Sequence, residues 1–170
     1  YYKECTYYIN RLLLPEDYDI DMIAIREADS MCAAYNAGMQ SSDAKYKIYM
    51  HQDVMIRDIH FLEHIIELFT QNKNVGMIGM IGGTKMPKTG VTYRAWNVGM
   101  VDCRDPDMAY FMAGAKDMKK EDTIVEAVDG LLIVTQYDVC WGGGVFFYFF
   151  FFFFFSSFFV CGGGGEETRL

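Results

Sequence analysis

Basic clusters are missing from this sequence. Lys and Arg number 15 against 23 Asp and Glu, for a net charge of −8, and the only adjacent basic pair is Lys119-Lys120. A nucleic-acid binder would carry a basic face, and an anionic membrane surface would need a polybasic segment, so neither partner is expected. Cys-x-x-Cys pairs are missing too. The five cysteines, Cys5, Cys32, Cys103, Cys140 and Cys161, are widely spaced, which fits reduced thiols in a cytoplasmic setting rather than a disulfide framework. No Gly-x-x-x-x-Gly-Lys-Ser/Thr phosphate loop occurs, and Gly76-Met-Ile-Gly79 inside an apolar run reads as close backbone packing. No signal peptide opens the chain. Tyr1-Tyr2-Lys3 reads as the middle of a helix, so the sequence is expected to be a fragment.

Phenylalanine is scarce in the body of the chain and crowded at its end. Eleven of the 14 Phe fall between Phe146 and Phe159, flanked by seven of the 16 Gly. The apolar run from Val145 to Cys161 is interrupted only by Tyr148, Ser156 and Ser157. It falls short of the ~18–20 residues of a membrane span and lacks basic or Trp/Tyr flanks. We therefore divide the chain into a body, residues 1–141, and a low-complexity Gly/Phe tail, residues 142–170. The composition of the tail is that of translated homopolymer and is read as an artefact.

Within the body, patterning predicts alternating helices and strands, the signature of an α/β domain. A helix is expected over Glu4–Leu14, ended by Pro15. Ile20–Ile25 reads as a strand, and Met31–Gln40 as a helix preceded by the cap candidates Asp29 and Ser30. Tyr46–Met50 reads as a short buried strand. Ile56–Asn72 has a helical stripe of Ile59, Leu62, Ile65, Ile66 and Phe69. Val75–Ile81 and Trp96–Val101 read as further strands, with Thr84–Thr92 a loop between them and residues 102–122 a polar surface excursion. Leu131–Val134 is expected as β-structure. Asp129-Gly130 before it either closes a two-residue hairpin or bends the chain at a ligand site.

The strand over Tyr46–Met50 runs straight into His51, Gln52 and Asp53. Polar side chains at the carboxyl end of a central buried strand lie where open α/β sheets place ligands. A carboxylate there can hold a hard divalent cation that in turn holds phosphate oxygens. Equally, Asp53 can cap the next helix. Elsewhere, His60-Phe-Leu-Glu63-His64 has the letters of an inverted zinc-protease motif, but a solvated helix face explains them as well.

Tyr-Met-His-Gln-Asp-Val, with Tyr35-Asn36, Gly76-Met-Ile-Gly79 and Val128-Asp-Gly130, resembles the GT-A glycosyltransferases, and within them the family 2-like bacterial branch. The resemblance runs from about Glu4 to Trp141. It implies a Rossmann-like, nucleotide-sugar-binding fold: a mainly parallel sheet with helices on both faces, here incomplete at both ends. It implies Mg²⁺ or Mn²⁺ held by Asp53 and His51, and a nucleotide-sugar donor contacted by Arg26, Asn36, His51, Asp53 and Asp129. The expected acidic segment carrying the catalytic base does not follow Trp141, so no catalytic residue is assigned and the acceptor stays open. Two rival functions follow from the same residues: an inactive sugar-nucleotide binding module, and a zinc metalloprotease using His60, Glu63 and His64.

Overall fold

The computed structural model describes residues 1–88, 95–99, 122–142 and 151–153. Among the described residues, three helices and one strand come first along the chain and six short strands follow them. Helix α1 spans Tyr2–Ile9 and buries Cys5 and Ile9. It ends earlier than Leu14 because Leu13 gives its N–H to the carbonyl of Ile59 instead of continuing the helix. Helix α2 spans Met31–Gln40, and the Ser30 hydroxyl accepts from the Ala33 N–H as its N-cap. Helix α3 spans Phe61–Gln71 and buries Phe61, Leu62, Ile65, Leu68 and Phe69. Its start is set late by Asp58, whose carboxylate accepts from the His60 N–H and also meets His64 Nδ1. Ile59 is thereby left outside the helix and exposed.

Strands β1 (Lys47–Met50), β2 (Met77–Gly79), β6 (Leu132–Thr135) and β7 (Phe151–Phe153) form a sheet of order β1-β6-β2-β7. A second sheet holds β3 (Ile81–Gly83), β4 (Val98–Gly99) and β5 (Ala127–Val128) in the order β4-β3-β5. The α/β class holds, but the expected mainly parallel sheet does not. Among the described residues only β2 and β7 pair parallel; β6 is antiparallel to both β1 and β2, and β3 to both of its neighbours. The physical reason lies in β6. Strands β1 and β2 point the same way, as a helical crossover through α3 requires. The later strand then inserts between them in reverse and satisfies both ladders.

Other expected elements are also corrected. Ile20–Ile25 forms no strand; Met22 packs into the core, while Ile20 and Ile25 are exposed. β1 lies at the edge of its sheet rather than at the centre. The Val75–Ile81 run is split at Met80 into β2 and β3, which belong to different sheets. Asp129-Gly130 closes no hairpin, because β5 and β6 do not pair; it carries the chain from one sheet to the other. Residues 89–92 of the expected loop, 93–94 after it, 100–101 of the expected strand, 102–121 of the excursion and all of the tail but Gly142 and Phe151–Phe153 lie outside the described residues.

Helices cover both faces of the first sheet. Side chains alternate across a strand, so Ile48, Ile78, Leu132 and Val134 pack against α1 and α3, with Ile65 and Phe69 in the same cluster. Tyr49, Met77 and Ile133 point the other way, into a cluster with Tyr35 of α2 and Ile81, Val98 and Val125. One glycine is obligatory. Gly99 has φ +102, and a Cβ there would lie 2.0 Å from the Met80 carbonyl oxygen, so a side chain would collide where the two sheets part.

Candidate functional site

Pairing of Met50 with Leu132 places the end of β1 beside the start of β6. The ladder then runs one step further, the His51 N–H donating to the Leu131 carbonyl at 3.1 Å. Two polar turns are thus held side by side: His51-Gln52-Asp53 and Asp129-Gly130-Leu131. The first is closed by the Val54 N–H on the His51 carbonyl. The second is closed by the Leu131 N–H on Asp129 Oδ1 at 2.9 Å, and its Asp129 N–H donates to the Ile81 carbonyl. His51, Gln52 and Asp53 are exposed. Asp53 caps no helix, since α3 begins only at Phe61, which removes the simplest structural role for its carboxylate.

Each turn's carboxylate adds to the shift of one buried group. Burial, followed by the nearby charge of Asp53, pushes the Cys5 thiol of α1 up to about 11. Burial, followed by the charge of Asp129, pushes the Tyr35 hydroxyl of α2 well above the usual phenol range.

Helix α2 reaches the second turn directly. The Tyr35 hydroxyl donates to the Gly130 carbonyl at 2.8 Å. Asn36 Nδ2 donates to the Trp141 carbonyl at 2.6 Å, and the Trp141 N–H donates back to Asn36 Oδ1 at 2.9 Å. Trp141 in turn packs edge-on against Tyr35 and Tyr49, with ring centroids 5.2 and 4.9 Å away. Arg26 is exposed, shortly ahead of the Ser30 cap, and is followed by Glu27 with φ 57, a left-handed backbone that few side chains of this kind adopt. Of the five donor-contact residues expected, His51, Asp53 and Asp129 come together at one sheet end. Asn36 has both side-chain heteroatoms on the Trp141 backbone, and Arg26 stands on the approach to α2. Sequence reading missed the carbonyls of Gly130 and Leu131 and the backbone of Trp141. The α2 partners of Gly130 and Trp141 lie 95 and 105 positions away, the partner of Leu131 is the His51 N–H, and main-chain groups leave no letter to read.

His60 and His64 lie on the outer face of α3, with His60 Nδ1 on Glu63 and His64 Nδ1 on Asp58. Among the described residues, no group of three or more His, Cys, Asp or Glu is arranged to hold a metal ion. At the paired turns, the exposed side chains that could hold a cation are Asp53 and His51. Mg²⁺ and Mn²⁺ favour oxygen donors, and Mg²⁺ is commonly held by one or two carboxylates with the substrate's phosphates supplying the rest. Exposed Asp53 provides such an oxygen, with His51 two residues before it.

The described residues thus form an α/β domain with helices on both faces of its first sheet and two acid-bearing turns meeting at one end of that sheet. This chain belongs to the glycosyltransferase-like family, which it matches over residues 1–160. No match was found among curated proteins. Among the described residues, no helix is long and apolar enough to cross a membrane.

Proposed function

We propose that the chain binds a nucleotide-sugar donor at the paired His51–Asp53 and Asp129–Leu131 turns and serves transfer of the sugar to an acceptor, on a fold of the GT-A kind. The observation that carries this reading is the meeting of the two turns through the His51–Leu131 hydrogen bond in a chain of the glycosyltransferase-like family. Asp53, with His51 beside it, would hold Mg²⁺ or Mn²⁺, which when bound neutralises charge on the diphosphate. Arg26 is suited by charge to a phosphate or to the base edge. Asp129 keeps one carboxylate oxygen on its own turn, which fixes its rotamer and leaves the other oxygen for a donor hydroxyl.

No residue before Trp141 is assigned as the catalytic base, so an inactive sugar-nucleotide binding module is the second reading. The division at Trp141 and the artefact reading of the tail are part of the same proposal. The zinc-protease reading is disfavoured because Glu63, the base of the motif, is held on His60 Nδ1 and no third ligand stands among the described residues.

Calorimetric titration of a nucleoside diphosphate with Mn²⁺ into the full chain tests the proposal. Binding should weaken at least about tenfold in Asp53→Asn, given that even outer-shell partners of a metal are worth ~10-fold. Equal binding by both proteins would remove Asp53 from the site. A parallel sugar-transfer assay separates the enzyme from the binding module. The double variant His60→Ala/His64→Ala should bind as the unaltered chain does.

A further inference from the structure

The segment that leaves the second turn at Gly130 passes through the sheet as β6 and comes back to α2 at Trp141. Both of its ends are met by adjacent residues of one helix. Neighbouring helix positions point about 100° apart, so Tyr35 and Asn36 can reach two different stretches of chain. Tyr35 takes the Gly130 carbonyl with a single hydroxyl. Asn36 takes both backbone groups of Trp141, donating to the carbonyl and accepting from the N–H. A primary amide does both from two separate atoms, whereas a carboxylate has no proton to donate and an alcohol has one oxygen for both tasks. The Trp141 ring, wedged against Tyr35 and Tyr49, fills the space between helix and sheet.

Each of these contacts is a tie on the acidic turns rather than a contact with a ligand. Gly130 is the residue between Asp129, whose carboxylate closes the turn, and Leu131, whose carbonyl holds His51. A shift of Gly130 away from Tyr35 would move both. We propose that Tyr35 and Asn36 are positioning residues, which clamp the two ends of the 130–141 segment to α2 and so set the spacing between the Asp129 turn and the His51–Asp53 turn. The proposal rests on the donor-site reading above for the consequence it assigns to that spacing. It gives Asn36 a role through the Trp141 backbone in place of a direct donor contact.

The test uses the full chain and two variants that keep side-chain size, Tyr35→Phe and Asn36→Asp. Amide exchange at Asp129, Leu131, His51 and Trp141 reads the clamp itself. Titration with uridine or guanosine diphosphate and Mn²⁺ reads its effect on the site, with circular dichroism confirming that each variant is folded. Both variants should exchange faster at these amides and bind nucleotide about tenfold more weakly, the effect of losing one hydrogen bond worth about 1.4 kcal/mol. A pH profile distinguishes positioning from general loosening. In Asn36→Asp, protection at Trp141, corrected for intrinsic exchange, should return as the pH falls toward about 4, where an acid of ordinary pKa is protonated and can again donate to the Trp141 carbonyl; Tyr35→Phe should show no such recovery. Unchanged exchange in both variants overturns the proposal. So does faster exchange with nucleotide binding equal to that of the unaltered chain. If the unaltered chain binds neither nucleotide, the donor reading falls and the exchange profile alone decides the clamp.

Discussion

On one face of the first sheet, Ile48, Ile78, Leu132 and Val134 share an apolar cluster with side chains of α1 and α3. On the other face, the residues at alternate positions are of a different kind. Tyr49 and Tyr35 lie against Trp141, and Thr135 and Lys47 are buried further along the same face, Lys47 reaching Asp138 at 2.5 Å. The first face is a packing surface, held by area and shape. The second adds to an apolar cluster of Met77, Ile81, Val98, Val125 and Ile133 the hydrogen bonds of Tyr35 and Asn36, and it carries the chain to the acidic turns. Placing polar and aromatic groups on the face next to a site gives it orientation at some expense in bulk stability, because each buried polar group must keep its partner. The contrast separates the residues that keep this protein folded from those that set its geometry.

The largest effect should come from the packing face. Phe69 is 0% exposed and stacks on Tyr46 at 5.6 Å, so Phe69→Ala should cost about 3–5 kcal/mol. Denaturant unfolding will check this. Nucleotide affinity per folded molecule should stay unchanged, and an affinity loss would break the division of labour between the faces.

Next comes Gly79, on the α2 face, where a Cβ would lie 2.7 Å from Val128 Cβ. Gly79→Ala should destabilise by about 1–3 kcal/mol through overpacking, and the Gly79→Ala/Val128→Ala pair should recover most of that loss. An additive double variant would show that the contact is not the cause.

The third prediction is a pH dependence of the packing face. The Cys5 thiol is 3% exposed and raised to about 11, first by burial and then by the charge of Asp53. The neutral thiol is thus favoured in the folded state. Its contribution is fully present below the unfolded pKa near 9 and is lost as pH rises from there through 11, where the unfolded chain has already released the proton. Stability should fall by about 2 kcal/mol across that window. In Cys5→Ala the plateau should be lower and this part of the slope absent; an identical slope would assign it to other groups.

The smallest effect belongs to Thr135, 1% exposed, whose hydroxyl has no hydrogen-bond partner among the described residues. Thr135→Val keeps the shape and should be neutral or stabilising by up to about 1 kcal/mol. A clear loss would mean that the hydroxyl is solvated or bonded after all.

What could be read from the letters follows the same divide. The stripe of α3, the Ser30 cap and the buried strand before His51 were legible, because each depends on local period or local capping chemistry. The direction of β6 was not, since Leu131–Val134 is an apolar run that reads the same in either sense. Nor was the break at Met80, where one uninterrupted apolar run serves two sheets. At the site, the acidic turns were legible as polar residues following strands. Their being side by side depends on the Met50–Leu132 register, which sequence spacing does not contain. Strand Ile20–Ile25 failed because its alternation is matched by no partner ladder, and Met22 alone turns inward.

The passage from β2 to β3 through the single residue Met80 has a consequence for how the molecule comes apart. A flexible linker between two sheets would let one melt while the other survives. Here the last ladder pair of one sheet, Gly79 with Ile133, and the first of the other, Ile81 with Gly99, are separated by one residue. Fraying of either ladder therefore reaches the other within a single peptide unit. The two sheets should exchange their slowest amides with one common opening free energy, as a single cooperative unit rather than as two foldons.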